Sequence, residues 1–168
     1  MAGDVFVVED EPGFIDIYHR ILDSIGFKMA GWAHSGEEAV EKLAESARKP
    51  DLIIMDNRLP GMSGVDTTAK ILETCPTARV LFVSVDERAK EQALKSGAVG
   101  FLCKPFSLQD FISSVTRYAT RSNGVDSPSA QRIARANRAD QRPNAPTQRA
   151  KGGGAIHLRL KTHFRGER

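Results

Sequence analysis

The sequence predicts a doubly wound α/β fold, with a five-stranded parallel sheet covered by helices on both faces. Three observations predict it. Short β-type runs alternate with helical patterns, five of each, across the first 121 residues. The strongest runs, DVFVV at 4–8, DLIIM at 51–55 and RVLFVS at 79–84, are apolar almost throughout, as strands buried on both faces are. The connections between units are short, which suits right-handed crossovers that return each chain segment to the same sheet.

Taken in order, Asp4–Val8 is a compact β-branched run. Residues 12–25 form a helix, with Phe14, Ile17, Tyr18, Ile21, Leu22 and Ile25 at helical spacing and Gly26 as its stop. Lys28–Ala33 is a moderate strand in which Trp32 is expected to pack. Ser35 caps the next helix, whose stripe is Ala39, Val40, Leu43, Ala44 and Ala47. Strand 51–55 follows, with Met55 in the core, and then a helix from Gly64 to Thr74; Met62 fills the loop between them. Strand 79–84 precedes a helix at 86–96 with a thin apolar face. Residues 99–102 make a short last strand. A helix at 107–121 carries Leu108, Phe111, Ile112, Val115 and Ala119 on one side.

Charge divides the chain. Residues 1–124 hold 14 Lys+Arg against 18 Asp+Glu, a net −4, whereas residues 125–168 hold 10 against 3, a net +7, which together give the +3 of the whole. The second segment contains Pro128, Pro143, Pro146 and the glycines 152–154, with few large apolar residues. Such a composition buries too little surface to offset the entropy of ordering, so a basic, disordered tail at 125–168 is expected to follow a folded domain at 1–124. Ile156, Leu158 and Leu160 alternate with basic residues there, a strand-like scrap too short to stand alone. No apolar run approaches the roughly 20 residues that span a bilayer, and no secretory pattern opens the chain, so a cytoplasmic protein with no membrane contact is expected. Cys75 and Cys103 are isolated and fit two reduced thiols rather than a zinc site or disulfide framework.

The chemistry lies where the strands end. In an open parallel sheet the functional crevice sits beyond the carboxyl ends of the strands. Here the first strand ends in Glu9-Asp10, the third in Asp56 and the fourth in Ser84, and Lys104-Pro105 follows the fifth. Three adjacent carboxylates repel one another and call for positive charge among them. A hard divalent cation with oxygen ligands, Mg²⁺, answers that need, with Lys104 supplying further compensation. Such a set suits phosphoryl transfer to a carboxylate nucleophile, with metal and lysine neutralising the transferring group and a hydroxyl donating to it.

Four strings make the reading specific: VVEDEP at 7–12, MDNRLPGMSG at 55–64, VSVDE at 83–87 and GFLCKPF at 100–106. In this order and spacing they resemble the receiver domain of two-component response regulators, over residues 4–121. The resemblance implies a flavodoxin-like fold with strand order 2-1-3-4-5. It implies that Asp56 is the phosphoacceptor, that Glu9, Asp10, Asp56 and the backbone carbonyl of Arg58 hold Mg²⁺, and that Ser84 and Lys104 contact the phosphoryl group. It also implies a cis peptide before Pro105, which a proline permits at modest cost. Phe101 falls at the family's aromatic switch position, beside Ser84 as the other switch residue; core packing and switching are equally open for it. For Arg58 and Asp86, two residues after Asp56 and Ser84, two readings stay open: a pair across the pocket mouth that covers the phosphoryl group, or two solvated loop charges.

Function follows in outline. The chain resembles stand-alone receivers of the chemotaxis-regulator type, which are signalling switches rather than enzymes acting on a separate substrate. A histidine kinase or phosphotransfer protein is the expected phosphodonor, and a downstream protein is expected to read the last two helices. A cofactor protein of the same topology would want a Ser/Thr/Gly-rich phosphate loop after the first strand, where this chain has Glu9, Asp10 and Glu11. The tail has the charge for salt-sensitive, non-specific nucleic-acid contact. It has too little apolar content for a helix-turn-helix output domain.

Overall fold

The computed structural model describes residues 3–120. Five strands and five helices alternate: β1 (Asp4–Val8), α1 (Pro12–Ser24), β2 (Lys28–Ala33), α2 (Gly36–Glu45), β3 (Leu52–Asp56), α3 (Gly64–Thr74), β4 (Val80–Ser84), α4 (Ala89–Ser96), β5 (Gly100–Cys103) and α5 (Leu108–Ala119). The strands form one sheet in the order β2-β1-β3-β4-β5, all pairs parallel, as expected. The expected tail and residues 121–124 lie outside the described residues.

Each sheet face carries its own core. On one, Val5, Val7, Leu52, Ile54, Leu81 and Val83 meet Tyr18 and Leu22 of α1 and Phe111 and Val115 of α5. On the other, Phe6, Val8, Ile53, Met55, Val80 and Phe82 meet the helices α2, α3 and α4 through Ala39, Leu43, Ile71 and Ala93. Alternation of side chains along each strand assigns them to the two faces, and β3 and β4 are buried at every position.

Local chemistry sets the element ends. Ser35, Ser63 and Ser107 each accept a backbone N–H of the first helical turn, and Ser107 forms a full capping box with Asp110. Gly26 at φ 81° closes α1, and Gly97 at φ 108° closes α4 in the left-handed conformation that glycine adopts without steric cost.

The expected boundaries shift in several places, each for a visible reason. The third strand runs one residue further, to Asp56, because Asp56 pairs with Val83. Asp51 stands just outside, where its carboxylate accepts the Asp4 N–H at 2.8 Å. The fourth helix begins at Ala89 rather than residue 86, because the Asp86 carboxylate accepts the N–H of Arg88 at 3.1 Å and holds the first residues in a turn. The last strand runs Gly100–Cys103, and Ser107 is the cap of α5 rather than its first residue.

Some expected core positions are exposed. α1 buries Ile15, Tyr18 and Leu22, which leaves Phe14 and Ile17 on its flank. Ala44 and Ala47 are exposed, since α2 ends at Glu45 and packs through Ala39 and Leu43. Leu108 is 57 % exposed in the first turn of α5. Trp32 is 47 % exposed rather than packed, because β2 is an edge strand with one solvated face. Met55 is fully buried, Met62 is half-buried in its loop, and Cys75 and Cys103 are half-buried free thiols. Among the described residues no helix is long and apolar enough to cross a membrane.

Candidate functional site

The register of the sheet brings the expected residues to one rim. Val8 lies beside Met55, Asp56 beside Val83 and Ser84 beside Cys103, so Glu9, Asp56, Ser84 and Lys104 leave adjacent strand ends together. The backbone secures this edge: the Glu9 N–H donates to the Ala33 carbonyl at 3.0 Å and the Lys104 N–H to the Ser84 carbonyl at 2.8 Å. Gly64 lets the start of α3 approach closely, since a Cβ there would strike the backbone carbonyl of Asp56 and the Asn57 Cα. The Lys104-Pro105 peptide is cis.

Lys104 is the centre of the arrangement. Its ammonium donates to Glu9 Oε2 at 3.0 Å and to Asp56 Oδ1 at 3.1 Å, with all three side chains largely withdrawn from water. The second Asp56 oxygen, Oδ2, accepts the Arg58 N–H at 2.5 Å. Ser84, 1 % exposed, accepts the Asp86 N–H on Oγ at 3.1 Å, which leaves its own proton to donate into the pocket. Asp10 is exposed at the entrance, and Phe101 is half-buried, packed against the core on the α3 side.

Electrostatics follow from this geometry. Burial pushes the Glu9 carboxyl above its ordinary range, and the Lys104 contacts only partly offset that. Burial works against the Lys104 charge too, but the surrounding Tyr18, Glu9 and Asp56 side chains outweigh it, so the ammonium titrates above the usual lysine range. Asp86 is held below the usual carboxylate range by its hydrogen bonds to Arg88.

That last contact corrects one expectation. Asp86 makes its direct ion pair with Arg88, at 3.0 Å and 3.3 Å through the guanidinium, and Arg58 acts on it across the pocket mouth only as a weaker charge, not as a hydrogen-bonded partner. A partner two residues away in the same turn needs no loop to close, so the local pair forms.

The residues fit a hard divalent cation in donor type and charge. Glu9, Asp10, Asp56 and the Arg58 carbonyl offer oxygen alone, and the one ammonium bridges two carboxylates, Glu9 and Asp56, with Asp10 exposed beside them. Asn57 Oδ1, beside Asp56, is a buried polar atom without a hydrogen-bond partner among the described residues, a further unmet need of this rim. No ready-made cluster of three metal-ligating side chains is found among the described residues, because Lys104 stands between Glu9 and Asp56 while Asp10 faces solvent.

Two side chains at this site were not among the expected ones. Phe14 lays its ring 4.4 Å from the Lys104 ammonium, and Tyr18 is buried behind it. With Ile17, Ile21, Val85, Pro105 and Phe106 they line an apolar groove of about 430 Å³ that reaches Lys104. Their helical spacing was visible in the sequence, but it reads as ordinary core until the fold sets α1 beside the residue before Pro105.

Comparison with known proteins agrees with this geometry. A family model described as the response regulator receiver domain matches residues 5–116. The chain is 31% identical over 119 residues to the chemotaxis protein CheY of Thermotoga maritima, covering 70% of this chain and 98% of that protein. It is 35% identical over 118 residues to the transcriptional regulatory protein PdtaR of Mycobacterium tuberculosis, covering 70% of this chain and 57% of that one. Among solved structures, a chain of the CheX–CheY–BeF3–Mg²⁺ complex from Borrelia burgdorferi aligns with a TM-score of 0.66 at 28% identity, over 70% of this chain and 90% of the solved one.

Proposed function

The chain belongs to the response regulator receiver domain family of two-component signalling, and on that premise we propose that it accepts a phosphoryl group on Asp56, with Mg²⁺, from a histidine kinase or phosphotransfer protein. The observation that carries the reading is Lys104 held between Glu9 and Asp56 at the carboxyl end of the sheet. A buried ammonium bound to a carboxylate nucleophile is placed to follow negative charge as it arrives.

In this reading an Asp56 carboxylate oxygen attacks the phosphorus of a phosphohistidine. The P–N bond breaks as the O–P bond of the acyl phosphate forms, and the imidazole leaves with the bonding pair and takes up a proton. Glu9, Asp10, Asp56 and the Arg58 carbonyl would hold Mg²⁺, which supplies charge neutralisation for the transferring group. The magnesium-containing complex of the Borrelia relative supports that choice of ion. Lys104 exchanges its Asp56 contact for a phosphoryl oxygen, and the Ser84 hydroxyl donates to another. The added charge, about −1.5 to −2, lies at a single point.

Output follows from the same two residues. A Ser84 hydroxyl drawn toward the phosphoryl group shifts the β4–α4 turn, and Phe101 on β5 follows as the second switch residue. A downstream protein then reads the face of α4 and α5, where Leu94 and Leu108 are exposed. The reading describes a cytoplasmic signalling switch, not an enzyme acting on a separate substrate.

The test is intact-mass analysis after incubation with acetyl phosphate and Mg²⁺. Wild type is expected to gain one phosphoryl group and Asp56→Asn none; undiminished labelling of the variant refutes the assignment. Asp10→Ala is expected to weaken the Mg²⁺ dependence of labelling more than Glu9→Ala, because Glu9 is already committed to Lys104. Equal effects would remove that ranking.

A further inference from the structure

The Lys104 ammonium has three N–H donors, and its two carboxylate partners use two of them. The remaining side of the ammonium faces α1. There the Phe14 ring lies 4.4 Å from Nζ, and Tyr18, one turn further along the helix, lines the same groove as Lys104.

Tyr18 is unusual in its own right. It is 1 % exposed, and its hydroxyl has no hydrogen-bond partner among the described residues. A phenylalanine would fill the same volume without leaving a buried hydroxyl unpaired, so packing alone does not account for the oxygen. The ring has little freedom. It stacks on Phe111 with centroids 5.3 Å apart, and Phe111 stacks on Phe106 at 5.6 Å, two residues after Lys104. One aromatic column therefore ties α1, α5 and the loop that carries Lys104. The hydroxyl is electrostatically coupled to Lys104, Glu9 and Asp56, and with burial as the main cause its pKa is pushed up to about 12, so it remains a neutral phenol.

We infer that the Tyr18 hydroxyl is the acceptor for the third N–H of Lys104 when the ammonium leaves Asp56 for an incoming phosphoryl oxygen, and that Phe14 steadies it from the open side. Tyr18 and Phe14 are thus positioning residues for phosphoryl transfer. They act through Lys104 and touch neither the phosphorus nor the metal. The inference rests on the phosphoacceptor reading, and its test separates the two.

Three measurements on the full chain make the test: the initial rate of acetyl-phosphate labelling with Mg²⁺, the melting temperature, and the ¹⁵N-lysine ammonium resonance of Lys104, recorded with beryllofluoride and Mg²⁺ as the phosphoryl mimic and assigned by its loss in Lys104→Arg. Tyr18→Phe removes one oxygen and no packing. It is expected to slow labelling about three- to tenfold, the size of a hydrogen bond to a charged group, to leave the melting temperature unchanged or higher, and to shift the Lys104 resonance. Phe14→Leu is expected to shift that resonance too, with a smaller effect on rate. Labelling of Tyr18→Phe at the wild-type rate, or an unmoved Lys104 resonance, overturns the inference. A fall in rate that only parallels a fall in melting temperature also overturns it, because that is the mark of lost packing. If wild type itself takes no label, the phosphoacceptor reading fails and the inference falls with it, whereas a labelled wild type with an unmoved Lys104 resonance in Tyr18→Phe sinks the inference alone.

Discussion

On one face of the sheet, α1 and α5 bury Tyr18, Leu22, Phe111 and Val115, and on the other, α4 buries only Ala89 and Ala93 while Leu94 stands exposed. A buried aromatic ring removes about 150–250 Å² from water, and apolar burial stabilises by about 25 cal/mol per Å², so the first pair is held far more firmly than α4. The two layers meet the candidate site from opposite sides. Through Phe14 and Tyr18 the firm layer touches Lys104, whereas α4 follows the turn after Ser84. The difference teaches that a charge added at Asp56 finds a fixed wall on the α1 side and a weakly anchored helix on the other. Movement is therefore cheapest at α4.

The largest expected effect breaks the firm layer. Phe111→Ala removes the middle ring of the aromatic column and should cost about 3–5 kcal/mol in denaturant unfolding. A loss below about 1 kcal/mol would show that the two layers are not so differently anchored. Next comes Gly64→Ala, in the layer that contains α4. An added methyl must displace the Asp56 carbonyl and Asn57, so a loss of about 1–3 kcal/mol is expected, with slower phosphoryl labelling. Together with the weak burial of α4, that result would show the start of α3 to be rigid and the looseness to be confined to α4.

Smaller effects sharpen the contrast. Leu94→Ala should change stability by no more than about 0.5 kcal/mol, because the side chain is largely in water. In hydrogen exchange, the α4 amides should open with a lower free energy than those of α1 and α5; equal protection would count against α4 as the movable element. The smallest effect lies on α2. Lys42 and the His34 N–H hold Glu38 below its ordinary value of 4.5. Its contribution is present above pH 4.5 and is lost as pH falls through the depressed folded value. Glu38→Gln should remove about 0.3–0.5 kcal/mol at pH 7 and nothing once that titration is complete, as measured by urea midpoints at several pH values.

Most of the architecture was legible because its signals are local. Apolar runs buried on both faces, the glycine stop at Gly26 and the serine cap at Ser35 each depend on a few neighbouring residues. The clustering of Glu9, Asp56, Ser84 and Lys104 was legible for a topological reason, since parallel strands deliver their carboxyl ends to one rim. The errors fall where a second element decides. Phe14 and Ile17 have helical spacing but flank the buried row, and Trp32 lies on an edge strand. Periodicity shows that a helix has an apolar side, but its partner sets which residues that side includes.

By itself, then, the sequence determined the order of elements, the parallel sheet and the residue types assembled at its carboxyl rim, because pattern, caps and crossover handedness act over short stretches of chain. Tertiary structure alone decided that Lys104 bridges Glu9 and Asp56, and that Phe14 lies over that ammonium with Tyr18 lining the same groove. Both arrangements join residues many tens of positions apart. Which donor meets which acceptor there depends on distances of a few ångströms and on exclusion of water, and no spacing along the chain encodes either.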